Sequence, residues 1–287
     1  MKLSALILAH HSPALLARLC RRLAQFDVSC HVHLDARTDI LPFQTACDGS
    51  GAVFLSKRLA LKWGGFSIVE ATLALIEDAF ARSDASHFLL ISGDTYPVAG
   101  KDAFDTYFLT GDSRIKIREI GEGSNLYERI SRTYVPDHRI GQLRAAPFGE
   151  RYLSDDFIED LDEVRRVYRL KTETKFPWRL AKGSQWWCLR RDAVAHVLKV
   201  ARGQQDFVAW FRYSVVADEA FFQTALLNFA PDRIVNSHSV FTIWDRQPRP
   251  YIFAGMQDME TLGASKLPLA RKFTDDSHTL LDRLDRL

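Results

Sequence analysis

The chain has 287 residues, 47% of them hydrophobic and 26% charged, with a formal net charge of +2. Such a length and composition suit one α/β domain with a substantial core and exclude a disordered or fibrous chain. A charge this close to zero argues against nucleic acid as the main partner. Cys20, Cys30, Cys47 and Cys188 show neither a C-x-x-C pair nor zinc spacing with histidine. Buried thiols in a reducing compartment are therefore expected, with no metal site. The apolar run at the N-terminus is broken by Ser4 and stopped by His10. It is too short for a signal-peptide core or a membrane span, and no later stretch approaches a span, so a soluble, cytoplasmic protein is expected.

In chain order, Leu3–Ala9 is a continuous apolar run of strand length, as a buried parallel strand requires. Ser12 and Pro13 open a helix with Pro13 in its first turn, and Leu15, Leu16, Leu19, Arg22 and Leu23 carry its period. Val28–Leu34 alternates, reads as the second strand and ends at Asp35. Val53, Phe54 and Leu55 form a third, short strand. Residues 67–80 are an amphipathic helix with Ile68, Ala71, Leu75, Ile76 and Phe80 near one face, for which Ser67 would be the N-cap. Residues 88–92 are another buried strand, running into Gly93-Asp94-Thr95-Tyr96-Pro97. This order predicts an α/β fold: a mostly parallel sheet flanked by helices on both faces. Ligands of such sheets bind at the carboxyl ends of the strands, where His10, His11, Asp35 and Asp94 fall.

Residues 121–179 are different, rich in Arg, Asp, Glu, Tyr and Pro, with a strongly charged helical stretch at 155–170. They read either as an insertion that shapes an acceptor site or as a solvated helical excursion. A regular pattern returns with a strand at 184–189 and helices at 191–202 and 218–229. A short amphipathic helix is expected near the C-terminus, carrying Leu280, Leu281, Leu284 and Leu287. It packs on the domain, meets a second copy, or docks at a membrane surface near a lipid-linked acceptor.

Four stretches hold chemistry. A carboxylate such as Asp35 at a strand end can accept from a ribose hydroxyl or a base N–H, and His10 can stack on the same nucleotide; strand-end acids are also common without function. Trp63-Gly64-Gly65-Phe66-Ser67 precedes a helix, and its glycines permit a tight approach or merely a turn. In Lys182-Gly183-Ser184-Gln185-Trp186-Trp187 the tandem tryptophans are core or a sugar platform, with alternation sending one inward and one outward. In Asp218-Glu219-Ala220-Phe221-Phe222, Asp218 suits a helix cap or first-turn acid, which leaves Glu219 as a candidate base. Walker A, G-x-G-x-x-G, H-E-x-x-H and G-x-S-x-G motifs do not occur.

Together these stretches resemble the core-2/I-branching β-1,6-N-acetylglucosaminyltransferases, a family that also holds the peptide O-xylosyltransferases. The pieces occur in family order: Ile7 to His11 with His33 to Asp35, Trp63 to Glu70, Ser92 to Pro97, Gly183 to Trp186, Asp218 to Phe222, and Leu269-Ala270-Arg271-Lys272-Phe273. The resemblance implies a GT-A-like fold and an inverting glycosyltransferase that needs neither metal nor cofactor. Its donor would be a UDP-sugar, UDP-xylose or UDP-N-acetylglucosamine, and its acceptor a glycan or lipid-linked saccharide. Glu219 would be the base, and His10 and Asp35 the nucleotide site. Lys272, with Arg271 and with Arg249 (less well Arg246), would hold the diphosphate. Trp63, Asp94, Ser184, Gln185, Trp186, Trp187 and Asp218 would line the sugar sites. Residues 1–120 would bind nucleotide, 121–182 form a variable insertion, and 183–287 supply the acceptor and catalytic part. Two positions depart from the pattern: Thr95 stands where the family has Asp, and Gln185 where the xylosyltransferases do. With no anchor and few cysteines, the chain looks like a bacterial member working in the cytoplasm or peripherally at the inner membrane. Two rivals remain: a non-catalytic binder of nucleotide sugar or glycan, and a metal-dependent transferase using Asp94.

Overall fold

The computed structural model describes residues 1–134, 161–229, 233–244 and 249–287. The first half alternates strand and helix: β1 Leu3–Ala9, α1 Pro13–Gln25, β2 Val28–Leu34, α2 Leu41–Ala46, β3 Ala52–Phe54, α3 Ser67–Arg82, β4 His87–Ser92 and β5 Thr95–Pro97. Next come α4 Lys101–Phe108, β6 Ser113–Ile115, β7 Arg118–Glu119, α5 Asn125–Ser131, α6 Leu161–Glu173, β8 Ala181–Lys182, β9 Trp187–Arg190 and α7 Arg191–Gly203. The last are α8 Gln205–Arg212, α9 Phe221–Phe229, β10 Ile234–Asn236, β11 Phe241–Thr242, α10 Met259–Ala264, β12 Leu269–Arg271 and α11 His278–Leu284.

The main sheet runs β10-β6-β9-β4-β1-β2-β3, with β9 antiparallel to its neighbours β4 and β6. Every residue of β1 and of β4 is buried, as a strand covered on both faces requires. The crossover β1-α1-β2 moves outward along the sheet, whereas β3-α3-β4 returns to the other side of β1. Right-handed crossovers in opposite directions put α1 and α3 on opposite faces. A crevice therefore opens at the carboxyl ends of β1 and β4, where the strand order reverses. A small sheet, β11-β12-β5, brings the C-terminal segment back to that crevice.

Several local expectations are corrected. Ser67 does not cap α3; it is the first helical residue, and its Oγ accepts the Lys62 N–H at 3.0 Å, closing the preceding turn. Residues 184–186 precede the strand, which begins at Trp187. Residues 217–219 form a separate 3-10 turn, and α9 starts at Phe221. The charged helix expected at 155–170 is described from Leu161 onward; its first residues lie outside the described ones. Of the four C-terminal leucines, Leu280, Leu281 and Leu284 are buried in the fold and Leu287 is half exposed. Arg18 donates to Asp282 at 2.7 Å and to Asp285 at 2.6 Å, so α11 is stapled to α1 and its apolar face is not offered to a membrane. The four cysteines are free and buried. Among the described residues no helix is long and apolar enough to cross a membrane.

Candidate functional site

The first cluster forms at the β4–β5 turn. Asp94 is buried there, and Ser92 Oγ donates to its Oδ1. Arg271 Nε lies 3.3 Å from Oδ1, and Lys272 Nζ 3.1 Å from Oδ2. His11 Nε2 approaches the same oxygen at 4.0 Å. The small sheet delivers the two cations: Arg271 stands opposite Thr95, and the Phe273 N–H donates to the Asp94 carbonyl at 3.0 Å. Burial pushes the Asp94 carboxyl up, but the Arg271 charge, the Ser92 hydroxyl and Lys272 outweigh it and hold it at about 2. Two cations against one carboxylate leave the cluster positive. His10, exposed beside His11 with ring centroids 4.3 Å apart, is lowered from its ordinary value by partial desolvation and by its neighbour.

The second cluster lies on the turn Ala217–Glu219. Glu219 Oε2 is 2.9 Å from Lys182 Nζ, both side chains being about one-third exposed. Their backbones are tied together, for the Gly183 N–H donates to the Glu219 carbonyl at 2.9 Å. Only glycine fits at 183, because a Cβ there would stand 1.5 Å from the Lys116 carbonyl oxygen. Gln223 Nε2 donates to the Ser184 carbonyl at 2.7 Å, and Thr224 Oγ1 accepts the Ala181 N–H at 3.1 Å, so α9 grips residues 181–184 from one side. Asp218 does not cap α9. Its carboxyl is buried, Oδ1 has no hydrogen-bond partner, and burial with Glu219 next to it pushes the group up to about 7. Phe221 and Phe222 turn inward rather than flanking Glu219: Phe221 packs on Phe66, Phe207 and Phe211, and Phe222 on Trp187.

Trp186 joins the clusters. The Arg271 guanidinium lies 4.9 Å above its ring, and the Trp186 N–H donates to Ser184 Oγ at 3.2 Å. The expected alternation of the tandem tryptophans is not observed. Both are buried, Trp187 wholly within the core, so neither is an open sugar platform. Trp63, by contrast, is 86% exposed. The carbonyl of its neighbour Gly64 accepts the Val216 N–H at 2.8 Å, so the tryptophan-glycine turn fixes the approach to Glu219. Gly64 itself has φ 73° and lies against Val215 and Val216.

Asp35 reaches the crevice, but its oxygens are already engaged. Arg37 donates from Nε at 2.9 Å, from Nη2 at 2.7 Å and from its backbone N–H at 2.9 Å, and Leu61 N–H adds a bond at 3.1 Å. Burial acts upward on its carboxyl, yet Arg37 and Leu61 draw it below its ordinary value. His33 is fully buried and accepts the Leu59 N–H at 2.9 Å. Strand β2 therefore organises the loop that leads to Trp63. Gln185 is half-buried between Ser184 and Trp186. Arg249 is exposed and stands two residues before Tyr251, whose carbonyl accepts the Lys272 N–H at 3.2 Å. Arg246 lies outside the described residues.

Sequence reasoning gave no role to Lys182 or Lys171. Lys171 Nζ is buried and surrounded by the carbonyls of Ile130, Arg132 and Tyr213 and by Ser214 Oγ, at 2.9–3.1 Å. It pins α6 and α5 to the segment that leads into Glu219. A signal existed, since Lys171 follows the buried Val164 and Val167 on one helical stripe.

A mostly parallel sheet with its crevice at the switch point, entered by a returning basic segment, places the protein in the GT-A-like α/β class. The chain belongs to the core-2/I-branching enzyme family, whose model matches residues 29–264. That family is a glycosyltransferase family. None of the curated proteins compared matches the chain. Among solved structures it is similar to HddC from Yersinia pseudotuberculosis, at 20% identity and TM-score 0.28, over 41% of this chain and 59% of that one. HddC complexed with GMP-PN matches at 22% identity, with the same coverage and TM-score. At that score the likeness carries no argument.

Proposed function

We propose that this chain transfers xylose or N-acetylglucosamine from a UDP-sugar to a hydroxyl of a glycan or lipid-linked acceptor, with inversion and without a metal. The observation that carries this reading is a positive cluster at the sheet's switch point, with Trp186 under Arg271, together with the Glu219 carboxylate on the turn bonded to Gly183 of the segment that leads to Trp186. The departing UDP gathers negative charge, which Lys272 and Arg271, joined by Arg249, would stabilise. Asp94 orients the two cations. Because both cations and Ser92 engage its carboxylate, a metal ion would have to displace them to use it. Glu219 takes the proton from the attacking hydroxyl. Displacement in one step at the anomeric carbon inverts it. His10 and Asp35 border the nucleotide, and Trp63 and Gln185 face the acceptor. Residues 1–120 form the nucleotide part, 121–182 the variable insertion and 183–287 the acceptor part of one domain.

Replacing Glu219 by Gln preserves shape and removes basicity. UDP release from UDP-xylose or UDP-N-acetylglucosamine should fall about 10²–10⁴-fold, with calorimetric UDP affinity nearly unchanged. Near-normal turnover in this variant would remove Glu219 from the mechanism.

A further inference from the structure

We infer that Lys182 is a positioning residue of the transfer reaction: its ammonium holds the Glu219 carboxylate in the orientation from which that group meets the acceptor hydroxyl. The inference rests on the proposed role of Glu219. An ion pair between two long surface side chains is ordinarily worth little, because each loses rotamer freedom in forming it. This pair differs in its frame. Gly183, next to Lys182, donates its N–H to the carbonyl of Glu219, and the 1.5 Å clash of a Cβ with the Lys116 carbonyl allows no side chain between them. Thr224 fixes Ala181 on the other side of Lys182, and Gln223 fixes Ser184. Ammonium and carboxylate are thus attached to two backbones already bonded to each other, and their 2.9 Å contact needs little further ordering.

Among the described residues, Lys182 is the cation paired with Glu219. Its own turn contributes Asp218, buried and without a partner for Oδ1. Helix α9, packed on the turn, carries no titratable residue. Helix α3, also packed there, contributes Glu70, paired with Arg212 at 3.4 Å. On the ribbon, Arg118 of β7 stands directly opposite Lys182, so the two cations share one face. Like charges placed directly opposite are unfavourable, and the Glu219 carboxylate offsets them. Lys182 contacts the Glu219 carboxylate directly, and it ends the short strand that leads into Ser184 and Gln185. Base and acceptor strand move as one unit because this contact joins them.

The test compares Lys182→Met and Lys182→Arg with the wild type. It follows UDP release from UDP-xylose and from UDP-N-acetylglucosamine with water as acceptor, across pH 5–9, alongside calorimetric UDP affinity and melting temperature. Lys182→Met should lose about 10–10²-fold in kcat, with KM for the donor and UDP affinity near wild type. Lys182→Arg should restore kcat. Lys182→Gln serves in place of Met if that variant does not fold. An unchanged kcat, a loss that appears in KM for the donor instead of kcat, or an arginine variant as impaired as the methionine one overturns the inference. Glu219→Gln, run in parallel, separates the two ideas. If it is active, or if neither donor is turned over, the reading of the site fails and the inference with it. If it is inactive while Lys182→Met keeps wild-type kcat, the inference alone fails.

Discussion

The two ends of the site solve opposite electrostatic problems. At the switch point, the buried Asp94 carboxylate is held by Arg271, Lys272 and Ser92, and the surplus charge is positive. On the turn Ala217–Glu219, Asp218 is just as buried, yet its Oδ1 has no partner among the described residues, and beside it Glu219 is paired with Lys182. Burial alone disfavours a charged carboxyl in both places. What differs is whether cations come from a distant part of the chain, and this decides why one acid is held at about 2 and the other at about 7. The first arrangement suits a fixed receptor for negative charge, the second a place where protons change hands.

The largest effect that would sharpen this contrast is on turnover. Lys272→Met removes one of the two cations and should lower UDP-sugar turnover about 10²–10³-fold, as for loss of a transition-state charge stabiliser. A variant that keeps full turnover would break the comparison at its positive end.

Next come two opposite pH dependences of stability. Asp94 is depressed in the folded state, so its contribution, about 2 kcal/mol, is present above about pH 4 and is lost as pH falls towards 2. Asp218 is raised, so the folded chain holds its proton more tightly than the unfolded chain between about pH 4 and 7. Its contribution is therefore complete in acid and is lost as pH rises through that window. Melting curves of Asp218→Asn should be flatter than wild type between pH 4 and 7, with the variant the more stable above it. A destabilised Asp218→Asn with unchanged pH dependence would show that the buried carboxyl is satisfied after all.

Asp35→Ala is a smaller perturbation, expected to cost about 1–3 kcal/mol by leaving the Leu61 N–H and Arg37 without their acceptor. Calorimetry decides its role: weakened UDP binding places Asp35 at the nucleotide, whereas unchanged affinity with a lower melting temperature assigns it to the loop alone. Smallest of all, Trp63→Ala should move stability by less than about 0.5 kcal/mol, because that side chain is exposed. Any loss of turnover should then appear in KM for the acceptor.

Much of this was legible in the sequence. The continuous apolar run at Leu3–Ala9 and the alternating, partly β-branched stretch at Val28–Leu34 read as strands, and both are parallel strands of the main sheet. Strand ends, and with them His10, Asp35 and Asp94, follow directly from such runs. Less legible were contacts across long stretches of chain. Nothing local to Asp94 says that Arg271 and Lys272, some 180 residues later, will pair with it; only the strand pairing of β5 with β12 achieves that. Asp218 was misjudged for a related reason. Its spacing before an apolar helix suits a cap, but a 3-10 turn intervenes and carries the carboxyl into the interior. The tandem tryptophans misled because alternation assumes a strand, and the strand begins only at Trp187.

The most direct test of a cationic, single-displacement site is the anomeric configuration of the product formed in EDTA. With whichever of UDP-xylose and UDP-N-acetylglucosamine the protein turns over, and both are α-linked donors, proton NMR of the fresh product should show the β anomer. The rate should match that in manganese. Turnover that stops in EDTA and returns with manganese, or a product that keeps the α configuration, would contradict the account.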